Sequence, residues 1–205
     1  MNKPPVVFLV DDQEYVLNAL IRVLDSAGFS SLAYTSAEAF LESGNVDAPG
    51  CLILDLSMPG MDGFALQKEL AIRASDLPLI FLSGHAEIRT GIQAMKAGAC
   101  DFLTKPVDDE SLFLAVSEAM EINQMARRAR NERENVLARL TSLTTREREV
   151  MNLLTEGKLN KQVASALGIA EKTIKIHRAR IMTKMQVRSV AALVRLVDRF
   201  IPAHS

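Results

Sequence analysis

Five short apolar runs, separated by segments with helical spacing, organise the first half of the chain. They are VVFLV (6–10), SSLAY (30–34), CLILD (51–55), PLIFL (78–82) and DFL (101–103). Continuous apolar runs of this length are strands covered on both faces, as in a parallel sheet. Between the first two, Val16, Leu17, Leu20, Ile21 and Leu24 recur every three or four residues, the stripe a helix turns toward a core. Segments 36–44, 63–74 and 86–97 fill the other gaps. The pattern predicts an α/β domain: a five-stranded parallel, doubly wound sheet with sites at the carboxyl ends of its strands.

The alternation then stops. Residues 107–140 contain no Gly or Pro and carry the run RRARNERE (127–134). Leu112, Val116 and Ala119 suit a last domain helix that continues as a solvated linker. A seam of Ile122, Met125, Ala129 and Val136 is interrupted by Glu132 and Arg139, so a charged spacer helix fits better than a coiled coil. After Ser142 the pattern is purely helical. Thr144 and Glu147 form a capping box, Gly157 stops that helix, and Asn160 can cap a short helix ending at Leu167 and Gly168. A basic helix follows, then an amphipathic one from Ser189 to Phe200. This is helix-turn-helix organisation. The expected boundaries are 1–120 for the α/β domain, 121–141 for the linker and 142–205 for an all-α domain.

Charge divides at the same place. The net charge is only −1, but residues 1–120 hold 7 basic and 17 acidic residues, and residues 121–205 hold 17 and 8. The basic half points to a polyanion partner. Cys51 and Cys100 lack metal-ligand spacing and read as buried thiols of a reducing compartment. Val6–Val10 is too short for a signal segment or a membrane span, so a cytoplasmic protein with no membrane partner is expected. Neither MPGMDG (58–63) nor Gly157-Lys158 has the spacing of a nucleotide-binding loop.

Asp11 and Asp12 end the first strand and Asp55 the third. In the flavodoxin-like strand order 2-1-3-4-5 these strands are neighbours at the switch point, so the carboxylates converge. Like charges in one pocket need a cation, and an oxygen-only set suits Mg²⁺, with Mn²⁺ as the alternative. Ser83 after the fourth strand and Lys105 after the fifth aim at the same mouth. A carboxylate nucleophile, a metal, a hydroxyl and an ammonium are the parts needed for phosphoryl transfer to an aspartate. Dehalogenase-like phosphatases share this chemistry but need a second carboxylate two residues after the nucleophile, where Ser57 stands here.

The segments VDD (10–12), LILDLSMPGMDG (52–63), FLSGH (81–85) and KAGACDFLTKP (96–106) resemble the receiver domain of bacterial response regulators. The resemblance implies Asp55 as phosphoacceptor and Asp11, Asp12, Asp55 and the Ser57 backbone carbonyl as the metal site. Ser83 and Lys105 would contact the phosphoryl group, a cis Lys105–Pro106 bond is expected, and Phe102 would be the aromatic switch; an ordinary core role for Phe102 stays open. Gln13 stands where a third acidic residue is common. Ser57 and His85 occupy positions that tune phosphoryl lifetime in the family, although His85 alone reads as solvated surface. The family is regulatory, not enzymatic, with at most slow autophosphorylation and autodephosphorylation.

In AEKTIKIHRARIMTKM (170–185), Ile174, Ile181 and Met185 share one helical face, with Lys172, Lys175, Ile176 and Ala179 opposite. Such a stripe can enter a major groove, with Lys175 on guanine and Ile176 on a thymine methyl. Lys161, Thr173, Arg178, Arg180 and Lys184 suit phosphates. Residues 143–189 resemble the DNA-binding domain of the LuxR/NarL/FixJ regulators, and the pairing with a receiver looks most like the FixJ branch. Ala170 replaces the usual Ser or Thr cap of the basic helix, and Ala179 a basic residue of some members. Together the resemblances imply a two-component regulator, phosphorylated at Asp55 by a cognate sensor histidine kinase. It would dimerise when phosphorylated, using residues around 191–197, bind double-stranded promoter DNA, and engage RNA polymerase. A phosphorylation-independent DNA-binding protein with a decayed receiver is the rival; the five intact site residues argue against it.

Overall fold

The computed structural model describes residues 4–84 and 88–200, so His85 lies outside the described residues. The chain forms two compact units, Met1–Arg128 and Ala129–Ser205.

In the first unit the strands are β1 (Val6–Val10), β2 (Ser31–Tyr34), β3 (Gly50–Asp55), β4 (Leu79–Ser83) and β5 (Asp101–Thr104). They form one parallel sheet in the order β2-β1-β3-β4-β5, the doubly wound arrangement expected. Its helices are α1 (Glu14–Ser26), α2 (Ala37–Glu42), α3 (Gly63–Ile72), α4 (Ile88–Lys96) and the start of α5 (Asp109–Thr141). Strand residues alternate between two cores. Phe8, Val10, Leu52, Leu54 and Phe81 pack with Ala37, Phe40, Leu66, Leu70 and Ala94 on one face. Val7, Leu9, Cys51, Ile53, Ile80 and Leu82 pack with Leu17, Leu20, Leu24, Leu112, Val116 and Ala119 on the other. This two-sided burial explains why the strands read as unbroken apolar runs. Burial pushes the Cys51 thiol up to about 12 and that of Cys100 to about 11, so neither is a thiolate at neutral pH.

Helix α5 is a single helix of 33 residues. Over the stretch expected as a solvated linker, its contacts are divided between the units. Asn123, almost wholly buried, accepts from the Gly50 amide at 3.0 Å and donates to the Asp76 carbonyl at 2.7 Å, while Arg127 donates to the Asp47 carbonyl. Ile122 and Met125 of the weak seam are exposed, whereas Val136 and Leu140 enter the core of the second unit. The residues that interrupt the seam also bond within that unit: Glu132 pairs with Arg199, and Arg139 donates to the Met185 carbonyl.

The second unit contains α6 (Thr145–Thr155), α7 (Asn160–Leu167), α8 (Glu171–Met185) and α9 (Val190–Phe200). The Thr144–Glu147 capping box is complete, with the Thr144 amide 2.9 Å from Glu147 and the Glu147 amide 3.2 Å from Thr144 Oγ1. Gly157 and Gly168 take the positive φ that ends α6 and α7. Asn160 is not the cap of α7. The cap is Leu159, whose side chain has no acceptor; its amide is satisfied instead by Gln162 Oε1 at 2.8 Å. The preceding residue already takes the extended cap conformation, which makes Asn160 the first helical residue and leaves its side chain for Arg178. Among the described residues no helix is long and apolar enough to cross a membrane.

Candidate functional site

The carboxyl ends of β1, β3, β4 and β5 bring Asp11, Asp55, Ser83 and Lys105 to one mouth. Lys105 Nζ lies 2.6 Å from Asp11 Oδ2 and 2.5 Å from Asp55 Oδ1. The lysine side chain is 19% exposed, the carboxylates 3% and 7%, so all three charges depend on one another rather than on water. Ser83 is buried at the end of β4, and its carbonyl accepts the Lys105 amide at 2.8 Å. The Lys105–Pro106 peptide is cis. Burial raises the Asp55 carboxyl above the ordinary aspartate range, against the pull of Lys105, and the Asp11 carboxylate adds to the rise. Burial acts to lower Lys105, but the hydrogen bonds and charges of Asp11 and Asp55 outweigh it and hold the ammonium above the ordinary lysine range.

The backbone after Asp55 folds back on the carboxylate. The Ser57 amide donates to Asp55 Oδ2 at 2.8 Å, and the Gln13 amide donates to Asp11 Oδ1 at 2.9 Å. Gln13 itself accepts from the exposed Tyr15 hydroxyl, so it does not join the charged group. Gly63 allows the close return of α3: a Cβ there would lie 2.7 Å from the Asp55 carbonyl oxygen and 2.9 Å from the Phe81 ring. Phe102 is half-buried on β5, with its ring against Gly91 of α4, where a Cβ would sit at 3.6 Å.

The donor set suits a hard cation. Asp11 and Asp55 already converge on a single positive charge, and Mg²⁺ takes one or two carboxylates while retaining water. Asp12 carries the third carboxylate expected there. Asp12 is exposed, and among the described residues no three acidic, imidazole or thiol side chains gather closely enough to hold a metal. Lys105 stands between the two buried carboxylates and does a cation's electrostatic work there.

On α8, Ile174, Ile181 and Met185 are fully buried, and Lys172, Lys175, Ile176, Ala179 and Arg180 are exposed. Ile176, at 47% exposed, is a large apolar residue among solvated cations. Lys175 lies 3.5 Å from Glu171, an exposed and weak pair. Thr173 and Arg178 are half-buried, and Arg178 Nη1 is 3.4 Å from Asn160 Oδ1. An open cleft of about 460 Å³ beside them is lined by Lys158, Lys161, Arg178 and Glu171. Lys184, expected at a phosphate, is bonded within the unit. Its ammonium bonds Glu147 Oε2 at 2.6 Å and the Ser142 carbonyl at 2.9 Å, leaving one of three N–H donors. Sequence reasoning found Glu147 as a cap but missed this second role. It also missed Asn123, a polar residue in a charged helix that carries no periodic signal.

Comparison with known proteins covers both units. Residues 7–117 match the response regulator receiver domain, and residues 141–197 match the bacterial regulatory proteins of the luxR family. The response regulator protein TmoT of Ectopseudomonas mendocina is 41% identical over 194 residues, 95% of this chain and 88% of that protein. The transcriptional regulatory protein FixJ of Azorhizobium caulinodans is 38% identical over 190 residues, covering 93% and 90%. Among solved structures, that of the response regulator StyR superimposes with a TM-score of 0.90 at 42% identity, covering 96% of this chain and all of that one. The matched families are regulatory rather than catalytic.

Proposed function

The chain belongs to the two-component response regulators that join a receiver to a LuxR-type DNA-binding domain, and on that premise we propose that a sensor histidine kinase phosphorylates Asp55 to control dimerisation and sequence-specific promoter binding. The observation that carries the reading is the buried Lys105 ammonium shared by Asp11 and Asp55 at the strand ends. Asp55 attacks phosphorus, forming an O–P bond as the P–N bond to the kinase histidine breaks. Lys105 and the Ser83 hydroxyl take the new phosphoryl oxygens. Asp11 and Asp55, joined on metal binding by the exposed Asp12 and the Ser57 carbonyl, would hold Mg²⁺ or Mn²⁺, which would supply charge neutralisation on the transferred group.

The output follows from a shift in populations that the receiver already samples. Ser83 moves to the phosphoryl group, Phe102 follows, and the α4–β5 face rearranges. Exposed Ile88, Ile92 and Met95 on α4 suit that face to a second phosphorylated copy. The receiver, residues 1–120, acts through the helical segment 121–141 on the DNA-binding domain, residues 142–205, and α9 contributes to the dimer. Lys172, Lys175 and Ile176 read base edges, and Lys161, Thr173, Arg178 and Arg180 hold phosphates. The protein works on promoter DNA in the cytoplasm, with RNA polymerase as a further partner. Labelling by acetyl phosphate with Mg²⁺, read by intact mass, tests the acceptor. Asp55→Asn is expected to abolish it, and a label that persists in the variant would move the acceptor elsewhere.

A further inference from the structure

Glu147 lies at the start of α6 with its side chain 3% exposed. A carboxylate that deep costs stability unless it is paired and hydrogen-bonded. Here one oxygen, Oε2, receives both the Thr144 amide at 2.9 Å and the Lys184 ammonium at 2.6 Å. These bonds, the Lys184 hydrogen bond first, hold the Glu147 carboxyl below the ordinary glutamate range. Capping requires only the first contact. The second reaches from the beginning of α6 to the last turn of α8, and Lys184 also donates to the Ser142 carbonyl, just beyond α5. A reciprocal bond runs beside it, from Arg139 of α5 to the Met185 carbonyl at 3.3 Å. Two side chains of opposite origin therefore fasten the carboxyl end of α8 to the turn between α5 and α6.

We infer that Glu147 is a positioning residue for DNA binding: through Lys184 it fixes the carboxyl end of the DNA-reading helix to the junction where α5 ends and α6 begins. The inference rests on the reading of α8 as that helix. A helix that reads bases must keep its axis and rotation within narrow limits, because each base contact is a short, directional hydrogen bond. The amino end of α8 has no such tie from its cap, since Ala170 offers no side-chain acceptor. The register of the exposed stripe is therefore held by the buried face, by the long Arg178–Asn160 contact and by this carboxyl-end pair. Lys184 accordingly acts on DNA through the fold, not as a phosphate ligand.

The two roles of Lys184 predict opposite results. The full-length protein, phosphorylated with acetyl phosphate and Mg²⁺, is used to enrich a fragment from a random-sequence DNA library, and that fragment is the probe across a salt series. Glu147→Gln keeps an acceptor for the Thr144 amide but removes the charge that holds Lys184. Positioning predicts that Glu147→Gln and Lys184→Met each weaken binding roughly three- to thirtyfold, with an unchanged salt slope, and that the double variant is no worse than either. A phosphate ligand predicts instead that Lys184→Met lowers the salt slope by about 0.9 and that freeing Lys184 with Glu147→Gln leaves affinity unchanged or raises it; either result overturns the inference. If Glu147→Gln loses its cooperative melt, Lys184→Met, which leaves the capping box whole, decides by its slope. Failure of the underlying reading looks different: the wild type enriches no sequence, or Lys175→Ala binds the fragment as the wild type does.

Discussion

At the strand ends, Asp11 and Asp55 are nearly withdrawn from solvent and both held by Lys105; on α8, Lys172, Lys175 and Arg180 stand in water, Lys175 with a weak partner. The first arrangement is a single object. Its charges are strong because water is excluded, and removing one leaves the rest exposed to the full cost of burial. The second is a sum. Each cation there contributes little alone, is screened by salt, and gains its effect from being repeated along one helical face. A group that must present one charge at one point is built the first way, and a surface that must follow a polyanion the second.

The largest test of that contrast is Lys105→Met. With the ammonium gone, Asp11 and Asp55 face each other across a buried gap. Stability at neutral pH, from urea unfolding, is expected to fall by about 3 kcal/mol. Added Mg²⁺ should recover part of the loss, because a cation bound to the folded state alone stabilises it. A variant as stable as the wild type without metal would show that the three charges are not interdependent.

Gly63→Ala probes the same pocket by shape. A methyl group would sit 2.7 Å from the Asp55 carbonyl, a backbone atom with little room to yield. The expected cost is about 2 kcal/mol together with slower acetyl phosphate labelling. An unaltered labelling rate would mean that the return of α3 does not set the geometry of Asp55.

Glu147 brings the pocket's logic into the basic unit. Its carboxyl is depressed in the folded state, chiefly by Lys184, so the unfolded chain binds the proton more readily. The stabilisation is then complete above the unfolded value, about 4.3. It is lost as pH falls below that through the folded value. Glu147→Gln should cost about 1.5 kcal/mol at pH 7 and little at acid pH, seen as unfolding curves that converge on acidification. Curves that stay parallel would remove the ion pair from the account.

The smallest effect is expected on the open stripe. Arg180→Ala should change stability by less than about 0.5 kcal/mol and reduce the salt slope of DNA binding by about 0.9. A stability loss comparable with that of Lys105→Met would erase the distinction between the two regions.

The sequence disclosed what periodicity and strand position encode. β1 begins and ends where its apolar run does, and Asp11, Asp55, Ser83 and Lys105 meet because their strands are neighbours in the predicted order. The buried and exposed faces of α8 followed from Ile174, Ile181 and Met185 at helical spacing. What stayed hidden were contacts between residues distant in sequence that have no period. Asn123 meets Gly50 across 73 positions, and Lys184 meets Glu147 across 37. A lysine in a basic stripe looks the same on paper whether it faces phosphate or a buried carboxylate. The division of α5 was obscured for a related reason: a run of charges marks solvent, while single polar and apolar residues such as Asn123 and Val136 decide which unit each turn joins.

Every residue of β3 is buried, and its side chains alternate between the two helical layers. Packing leaves this strand almost no room for substitution. A change at Cys51 or Ile53 disturbs one layer, a change at Leu52 or Leu54 the other, and none can adjust Asp55 without also altering a core. Exposed Ser57, two positions past Asp55 and bonded to it by its backbone amide, can change without disturbing either. On the proposed reading, that one position can change the surroundings of Asp55 while the strand that bears it stays fixed.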